Sequence, residues 1–196
     1  MNINSTTHAG TPPLPDKKYS IIYADPPWSY QNWCDKKQGA AVAHYPTMKQ
    51  KDIEALPVGA LAEKDCILFM WATFPKLQEA LDTIKAWGFT YKTIGFCWVK
   101  RNKCGSWFKG IGFYTKSNSE VCLIATKGTP PKASRHHSVG QIIETVRERH
   151  SKKPDVVRDR IVEFCGDLPR IELFARSAAP GWDLWGNEAP REEGKA

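Results

Sequence analysis

Pro26 and Pro27 stand side by side directly after the run Tyr19-Ser20-Ile21-Ile22-Tyr23, and this junction constrains the fold more than any other part of the chain. The run is β-branched and aromatic, the pattern of a buried strand. A proline has no amide N–H and restricts the residue before it, so the hydrogen-bonded ladder must stop there. Tyr23-Ala24-Asp25-Pro26-Pro27-Trp28 therefore sets an acid, two rigid residues and a large aromatic at the carboxyl end of a strand. In open α/β sheets that edge is where ligands bind.

The quartet Asp25-Pro26-Pro27-Trp28 suits one kind of chemistry and also has an ordinary reading. An exocyclic amino group on a nucleobase is a poor nucleophile, because its lone pair is delocalised into the ring. Two acceptors that take both of its N–H bonds favour a pyramidal nitrogen with a free lone pair. The Asp25 side chain and the Pro26 carbonyl are candidates for those acceptors. Pro27 stiffens the turn, and the Trp28 ring offers a stacking face for a base taken out of its helix. In the ordinary reading Asp25 caps a proline turn and Trp28 lies in the core. The four residues alone do not decide; the rest of the chain does.

Short strand patterns alternate with helical ones along the chain. Asp65-Cys66-Ile67-Leu68-Phe69-Met70-Trp71 is a near-continuous apolar run, as in a central strand covered on both faces. Thr47 and Gln50 have the spacing of a capping box, which predicts a helix from there to about Leu56, closed by Pro57. Thr73 is expected to cap a second helix with the stripe Phe74, Leu77, Leu81 and Ile84, stopped by Gly88. Strands are predicted over 89–100, 120–125, 170–176 and 182–188, while 141–146 fits a strand or a short helix. A third helix follows Pro154, with Val157, Ile161 and Phe164 or Cys165 on its buried face and Gly166 at its end. The alternation indicates an α/β class. A length of 196 residues suits one domain: a flexible polar arm over 1–16, the folded part over 17–188 and a charged tail over 189–196.

The formal net charge of +7 favours a polyanionic partner, and eight tryptophans supply stacking faces for unstacked bases. Residues 101–119 combine Lys103, Lys109 and Lys116 with Trp107, Phe113 and Tyr114. Residues 127–139 carry Lys132, Arg135, His136 and His137. Both stretches read either as nucleic-acid contacts or as solvated loops. Residues 29–44 form a polar connection long enough to be a lid or a plain surface excursion. At its foot, Tyr45 is a base-contacting aromatic or a loop anchor. Glu120, opening a strand, is a site acid or a salt-bridge partner. Six cysteines without a C-x-x-C pair fit reduced core thiols of a cytoplasmic protein, and no metal site is expected. No G-x-x-x-x-G-K-[ST] loop exists, which disfavours phosphoryl transfer. The first residues lack the apolar region of a secretory signal, and no apolar run is long enough for a membrane span.

Placed in order, the marks resemble the MT-A70-like adenine N6-methyltransferases, collinear from about Tyr19 to Glu188. They are Asp25-Pro26-Pro27-Trp28, His44-Tyr45-Pro46-Thr47-Met48, Leu68-Phe69-Met70-Trp71, Trp98-Val99-Lys100, Gly110-x-Gly112 followed by Glu120, Lys127-Gly128-x-Pro130, and His150-Ser151-Lys152-Lys153-Pro154-Asp155. Glu172-Leu173-Phe174-Ala175-Arg176 and Gly181-Trp182-Asp183 with Gly186-Asn187-Glu188 complete the set. Each is weak alone; the ordered set is specific.

The resemblance implies a Rossmann-like class I methyltransferase fold in permuted motif order, with a single, mostly parallel sheet flanked by helices. It implies S-adenosylmethionine as cofactor and a site-specific, adenine-specific DNA methyltransferase activity. Carried over residue by residue, Asp25, Pro26, Pro27 and Trp28 hold the adenine amino group, and Asp25 also counts toward the cofactor. Lys153 reaches toward the cofactor or the target. Phe174 and Arg176 lie by the cofactor, and Asn187 and Glu188 bond its ribose or nearby polar groups. Tyr45 and Glu120 match positions near the target pocket. Members often have glutamine where Glu188 stands, and the G-x-G-x-x-G signature is absent. The short chain resembles bacterial and phage members, so DNA is expected, in a bacterial or phage-infected cytoplasm, with a homodimer kept open. The alternatives are RNA adenine methylation and an inactive member that only binds nucleic acid.

Overall fold

The computed structural model describes residues 12–30, 47–112, 114–129, 138–148 and 152–190. Among these residues lie seven strands and three α-helices: β1 (Tyr19–Ala24), α1 (Gln50–Glu54), β2 (Ala62–Ala72), α2 (Leu77–Ala86), β3 (Thr90–Arg101), β4 (Ser119–Lys127), β5 (Ile142–Val146), α3 (Val156–Cys165), β6 (Arg170–Leu173) and β7 (Asp183–Trp185). The strands form one sheet in the order β5-β3-β4-β2-β1-β6-β7.

The class is α/β, but the expectation of a mostly parallel sheet is corrected: the sheet is mixed. β1 pairs in parallel with β2 and β6, as do β6 with β7 and β3 with β5, whereas β4 runs antiparallel to both β2 and β3. The reversal has a local cause. β3 and β4 are consecutive strands, and the limbs of their connection pair back on each other as in a hairpin, Lys100 N–H donating to the Asn118 carbonyl at 2.9 Å and Gly110 N–H to the Ser117 carbonyl at 2.8 Å.

Alternation along the strands divides the core in two. On one face Ile22, Leu68, Met70 and Leu123 pack under Ile53 of α1 and Ala80 and Ile84 of α2. On the other, Ile21, Tyr23, Phe69 and Trp71 pack under Val157, Ile161 and Cys165 of α3. The central run of β2 is buried on both faces, as its sequence predicts.

Several local expectations differ. α1 begins at Gln50 without a side-chain cap; the expected Thr47–Gln50 box is not formed, and Gln50 Nε2 instead donates to Glu54 Oε1 at 2.7 Å. Phe74 belongs to a 3-10 turn and is half exposed, so the buried stripe of α2 starts later, at Ala80. Residues 142–146 resolve to an edge strand. The arm is tied down where it is described: Trp185 Nε1 donates to the carbonyls of Pro12 (3.0 Å) and Pro13 (3.2 Å), and Leu14 packs on the core.

Candidate active site

Asp25 continues the alternation of β1, on the face that carries Tyr23. The register extends the set: Tyr23 pairs with Phe69, Trp71 with Cys122, and Trp98 with Glu120. Lys100 is two residues beyond Trp98 on that same face, diagonal to Glu120. Four charged side chains from distant parts of the chain thus meet on the α3 side of the sheet, at the edge where β1, β2, β3 and β6 end. Lys153 arrives from the segment leading into α3.

Lys153 Nζ donates to Asp25 Oδ2 at 2.9 Å, with Oδ1 at 2.8 Å, and lies 3.2 Å from Glu120 Oε2. Glu120 Oε1 accepts from Lys100 Nζ. The two ammonium groups also face indole rings, Lys153 over Trp71 at 5.5 Å and Lys100 over Trp98 at 4.8 Å. All four side chains are largely buried. Two carboxylates and two ammonium groups leave the cluster without net charge, which permits its burial.

The individual groups titrate differently. Burial pushes the Asp25 carboxyl above its ordinary 3.8, more than Lys153 pulls it down. Burial also acts to raise Glu120, but there Lys153 and Lys100 together prevail and hold it below the ordinary 4.5. Burial opposes the charge on Lys153, and Asp25 and Glu120 overcome that opposition, so it stays protonated well into the alkaline range.

The turn after β1 is braced from beneath. Trp28 N–H donates to the Pro26 carbonyl at 2.8 Å, and Met48 N–H to the Pro27 carbonyl at 2.9 Å. The Trp28 ring is 5% exposed and its Nε1 donates to the Trp71 carbonyl at 3.2 Å. This geometry matches the ordinary reading of Trp28 as a core residue; its ring does not stand open as a stacking face. The Pro26 carbonyl retains a second lone pair.

A cleft opens beside Asp25 and Lys153, lined also by Tyr23, Lys152, Pro154, Arg158, Glu172, Phe174, Arg176 and Ser177. β6 ends at Leu173 because Phe174 turns into the left-handed region at φ 61°, an uncommon conformation for a residue with a side chain. Its ring lies edge-on to Trp185 at 5.4 Å. The loop after β7 packs tightly there: a Cβ on Gly186 would meet Phe174 Cα at 2.9 Å. Glu188 Oε2 lies 3.4 Å from Arg176 Nε, and Asn187 is exposed next to it. Asp25, Glu120, Lys153, Phe174, Arg176 and Glu188 therefore gather around one region. Lys103, Lys109 and Lys116 are exposed on the loop between β3 and β4. Tyr45 lies outside the described residues, as do Phe113 and the Lys132–His137 portion of the second basic stretch.

Three participants carry no role in the sequence reading. Lys100 is the partner of Glu120. Glu172, buried at 7%, accepts from Arg158 through both oxygens, at 2.6 Å from Nε and 3.0 Å from Nη2, and Arg158 Nη2 also reaches Ser177 Oγ at 3.1 Å. The available signal is the period-two alternation: Lys100 shares parity with Trp98, and Glu172 is an acidic residue set between the apolar Ile171 and Leu173. Read chemically, the site offers a carboxylate fixed in place by a buried ammonium group. The adjoining cleft offers cations, carboxylates and an aromatic ring.

The MT-A70 family model matches residues 19–188. The chain is 38% identical over 195 residues to the Type II methyltransferase M.MunI of a Mycoplasma species, covering 91% of this chain and 81% of that protein. It is 29% identical over 175 residues to the N(6)-adenosine-methyltransferase MT-A70-like protein of Drosophila melanogaster, covering 87% of this chain and 27% of that protein. It is also 29% identical over 189 residues to the N(6)-adenine-specific methyltransferase METTL4 of Mus musculus, covering 88% of this chain and 38% of that protein.

Proposed function

The chain belongs to the MT-A70 family, and from that premise we propose that it is an adenine N6-methyltransferase acting on DNA with S-adenosylmethionine as methyl donor. The observation that carries this reading is the Asp25 carboxylate, held by Lys153 at the end of β1 and facing a cleft lined by Phe174 and Arg176.

The residues of the cleft, with Glu188 beside Arg176 at its margin, fit the donor's chemistry. S-adenosylmethionine has an amino and a carboxylate group, a ribose diol and an aromatic base. Asp25 and Glu188 supply acceptors for its amino group and hydroxyls, Lys153 and Arg176 supply cations for its carboxylate, and Phe174 supplies a ring for its base. When bound, the donor contributes an electrophilic sulfonium methyl group.

The protein's own part is positioning and electrostatics. The Asp25 carboxylate and the free lone pair of the Pro26 carbonyl accept the two N–H bonds of the adenine amino group and leave its lone pair directed away from the ring plane. Lys153 fixes the Asp25 carboxylate in orientation, and Glu120 fixes Lys153. Asp25 orients and need not be a strong base; water takes the proton released from the methylated nitrogen. The fold reading that accompanies this function is a permuted Rossmann-like core. In it the target-amine turn on β1 precedes the cofactor loop on β6 in the chain, although the two strands are neighbours.

DNA is favoured because this chain spans 81% of a relative named a Type II methyltransferase. RNA is the second reading, favoured by the N(6)-adenosine activity in the Drosophila relative's name. Parallel assays with labelled donor on DNA and RNA, each single- and double-stranded, separate the two by nucleoside mass spectrometry. N6-methyldeoxyadenosine from DNA is expected. Product from RNA alone overturns the DNA assignment, and product from neither overturns the enzymatic one.

A further inference from the structure

Among the described residues of the loop between β3 and β4, two apolar side chains stand almost wholly uncovered. Ile111 is 93% exposed and Tyr114 is fully exposed. The loop leaves the sheet at the edge where β1 ends, since β3 runs parallel to β1 through the sheet, and it returns directly into Glu120.

The tip is narrow and braced. Residues 102–106 turn back on themselves, Asn102 N–H donating to the Ser106 carbonyl at 2.9 Å, and Arg101 stacks on the Trp107 ring at 3.2 Å. Phe108 N–H donates to the Lys100 carbonyl at 3.0 Å, and Arg147 covers the Phe108 ring at 4.3 Å. The two limbs then close on each other: Gly110 N–H donates to the Ser117 carbonyl at 2.8 Å. A Cβ on Gly110 would stand 2.5 Å from that oxygen, and one on Gly112 would stand 2.0 Å from the Thr115 carbonyl. Glycine at these two positions lets the backbone pinch shut and hold Ile111 and Tyr114 out. Lys109 and Lys116 flank them, and Lys103 is exposed nearer the base.

We propose that this tip is a wedge for double-stranded nucleic acid: Ile111 and Tyr114 enter the base stack at the target step while Lys109 and Lys116 bear on the phosphates. The inference rests on the adenine-methylating reading, and deepens it. The N6 amino group of a paired adenine is inside the duplex, so the base must leave the stack to reach Asp25. A vacated stack collapses unless something fills it, and apolar side chains inserted between base steps are how proteins hold such openings. An exposed isoleucine and tyrosine on a protein of net charge +7 match a partner that is negative outside and aromatic inside.

The test compares wild type with the double variant Ile111→Ser/Tyr114→Ser on plasmid DNA, native and heat-denatured. Both side chains are exposed, so the melting temperature stays unchanged. Transfer to native duplex is expected to fall on the order of tenfold or more, because opening the stack is no longer supported, while transfer to denatured DNA falls less than about twofold. Ile111→Leu/Tyr114→Phe restores the duplex activity. Permanganate reactivity of thymines gives a second readout that needs no turnover: wild type raises it on duplex DNA and the double variant does not. Equal losses on both DNA forms, no loss on either, or unchanged thymine reactivity overturns the wedge. A shift of the double variant from dimer to monomer in sedimentation also overturns it and makes the tip a protein interface. Absence of transfer by wild type on any DNA refutes the DNA-methylating reading, and the permanganate readout still decides the wedge.

Discussion

Glu120 holds two lysines with one carboxylate, and the titration of the site follows from that. Because its pKa is held below the ordinary 4.5, Glu120 contributes stability that is fully present above pH 4.5 and is lost as pH falls through its folded value. Glu120→Gln leaves Lys100 and Lys153 buried and converging without their shared partner. We expect it to lower unfolding stability by about 3 kcal/mol at pH 7. Urea titrations should show the gap from wild type narrowing below pH 4.5; a constant gap contradicts the pairing. Asp25 behaves oppositely. Its carboxyl is raised above 3.8, so the form that accepts N–H bonds disappears at a higher pH than for a free aspartate. The acid limb of kcat/KM should lie above pH 3.8 and move higher still in Lys153→Met, which removes the compensating ammonium. A limb at or below 3.8 in the wild type would exclude Asp25 as the group that must be ionised.

At the scale of elements, α3 and β6 are joined in the wall of the cleft by Arg158 and Glu172, a two-oxygen, two-nitrogen pair that a lysine does not reproduce. Arg158→Met strands the buried Glu172 carboxylate and frees Ser177 and the loop from Phe174 onward. It should cost about 3 kcal/mol of stability and raise the donor's KM more than it lowers kcat, and Arg158→Lys should recover little of either. Steady-state kinetics alongside thermal melts check both. These elements also mark where the sequence was informative. Long apolar runs such as 65–71 locate the strands well, because burial on both faces leaves one pattern. They say nothing of direction, so the reversed β4 and the mixed sheet were not legible. Thr47 and Gln50 have a capping-box spacing that points to a helix start at Thr47, yet the Gln50 side chain turns forward to Glu54 and the helix starts at Gln50. The Asp25 turn was legible because two prolines leave a strand no alternative. Lys100, Arg158 and Glu172 were not, since a charge partner from another strand or helix is set by register rather than by neighbours in the chain. Trp28 was legible only as a choice between core and stacking face, and packing decides for the core.

For the whole molecule, a net charge of +7 with Lys103, Lys109 and Lys116 on the loop beside the site predicts that affinity for nucleic acid falls steeply as salt rises. Fluorescence anisotropy across a salt series should give a linear fall of log affinity with log salt. The slope should be shallower by about two in Lys109→Gln/Lys116→Gln if each lysine neutralises one phosphate. A flat dependence would remove the loop from the binding surface. The charge, the wedge and the buried cluster converge on one edge of the sheet, and the account depends on Asp25 at its centre. The decisive measurement is the yield of N6-methyladenine in duplex DNA from labelled S-adenosylmethionine, wild type against Asp25→Asn, a change that keeps the shape and removes the charge. The account predicts product from wild type and a loss of about a hundredfold or more in the variant, of the size caused by removing one preorganised transition-state contact. Wild-type yield in Asp25→Asn would contradict it.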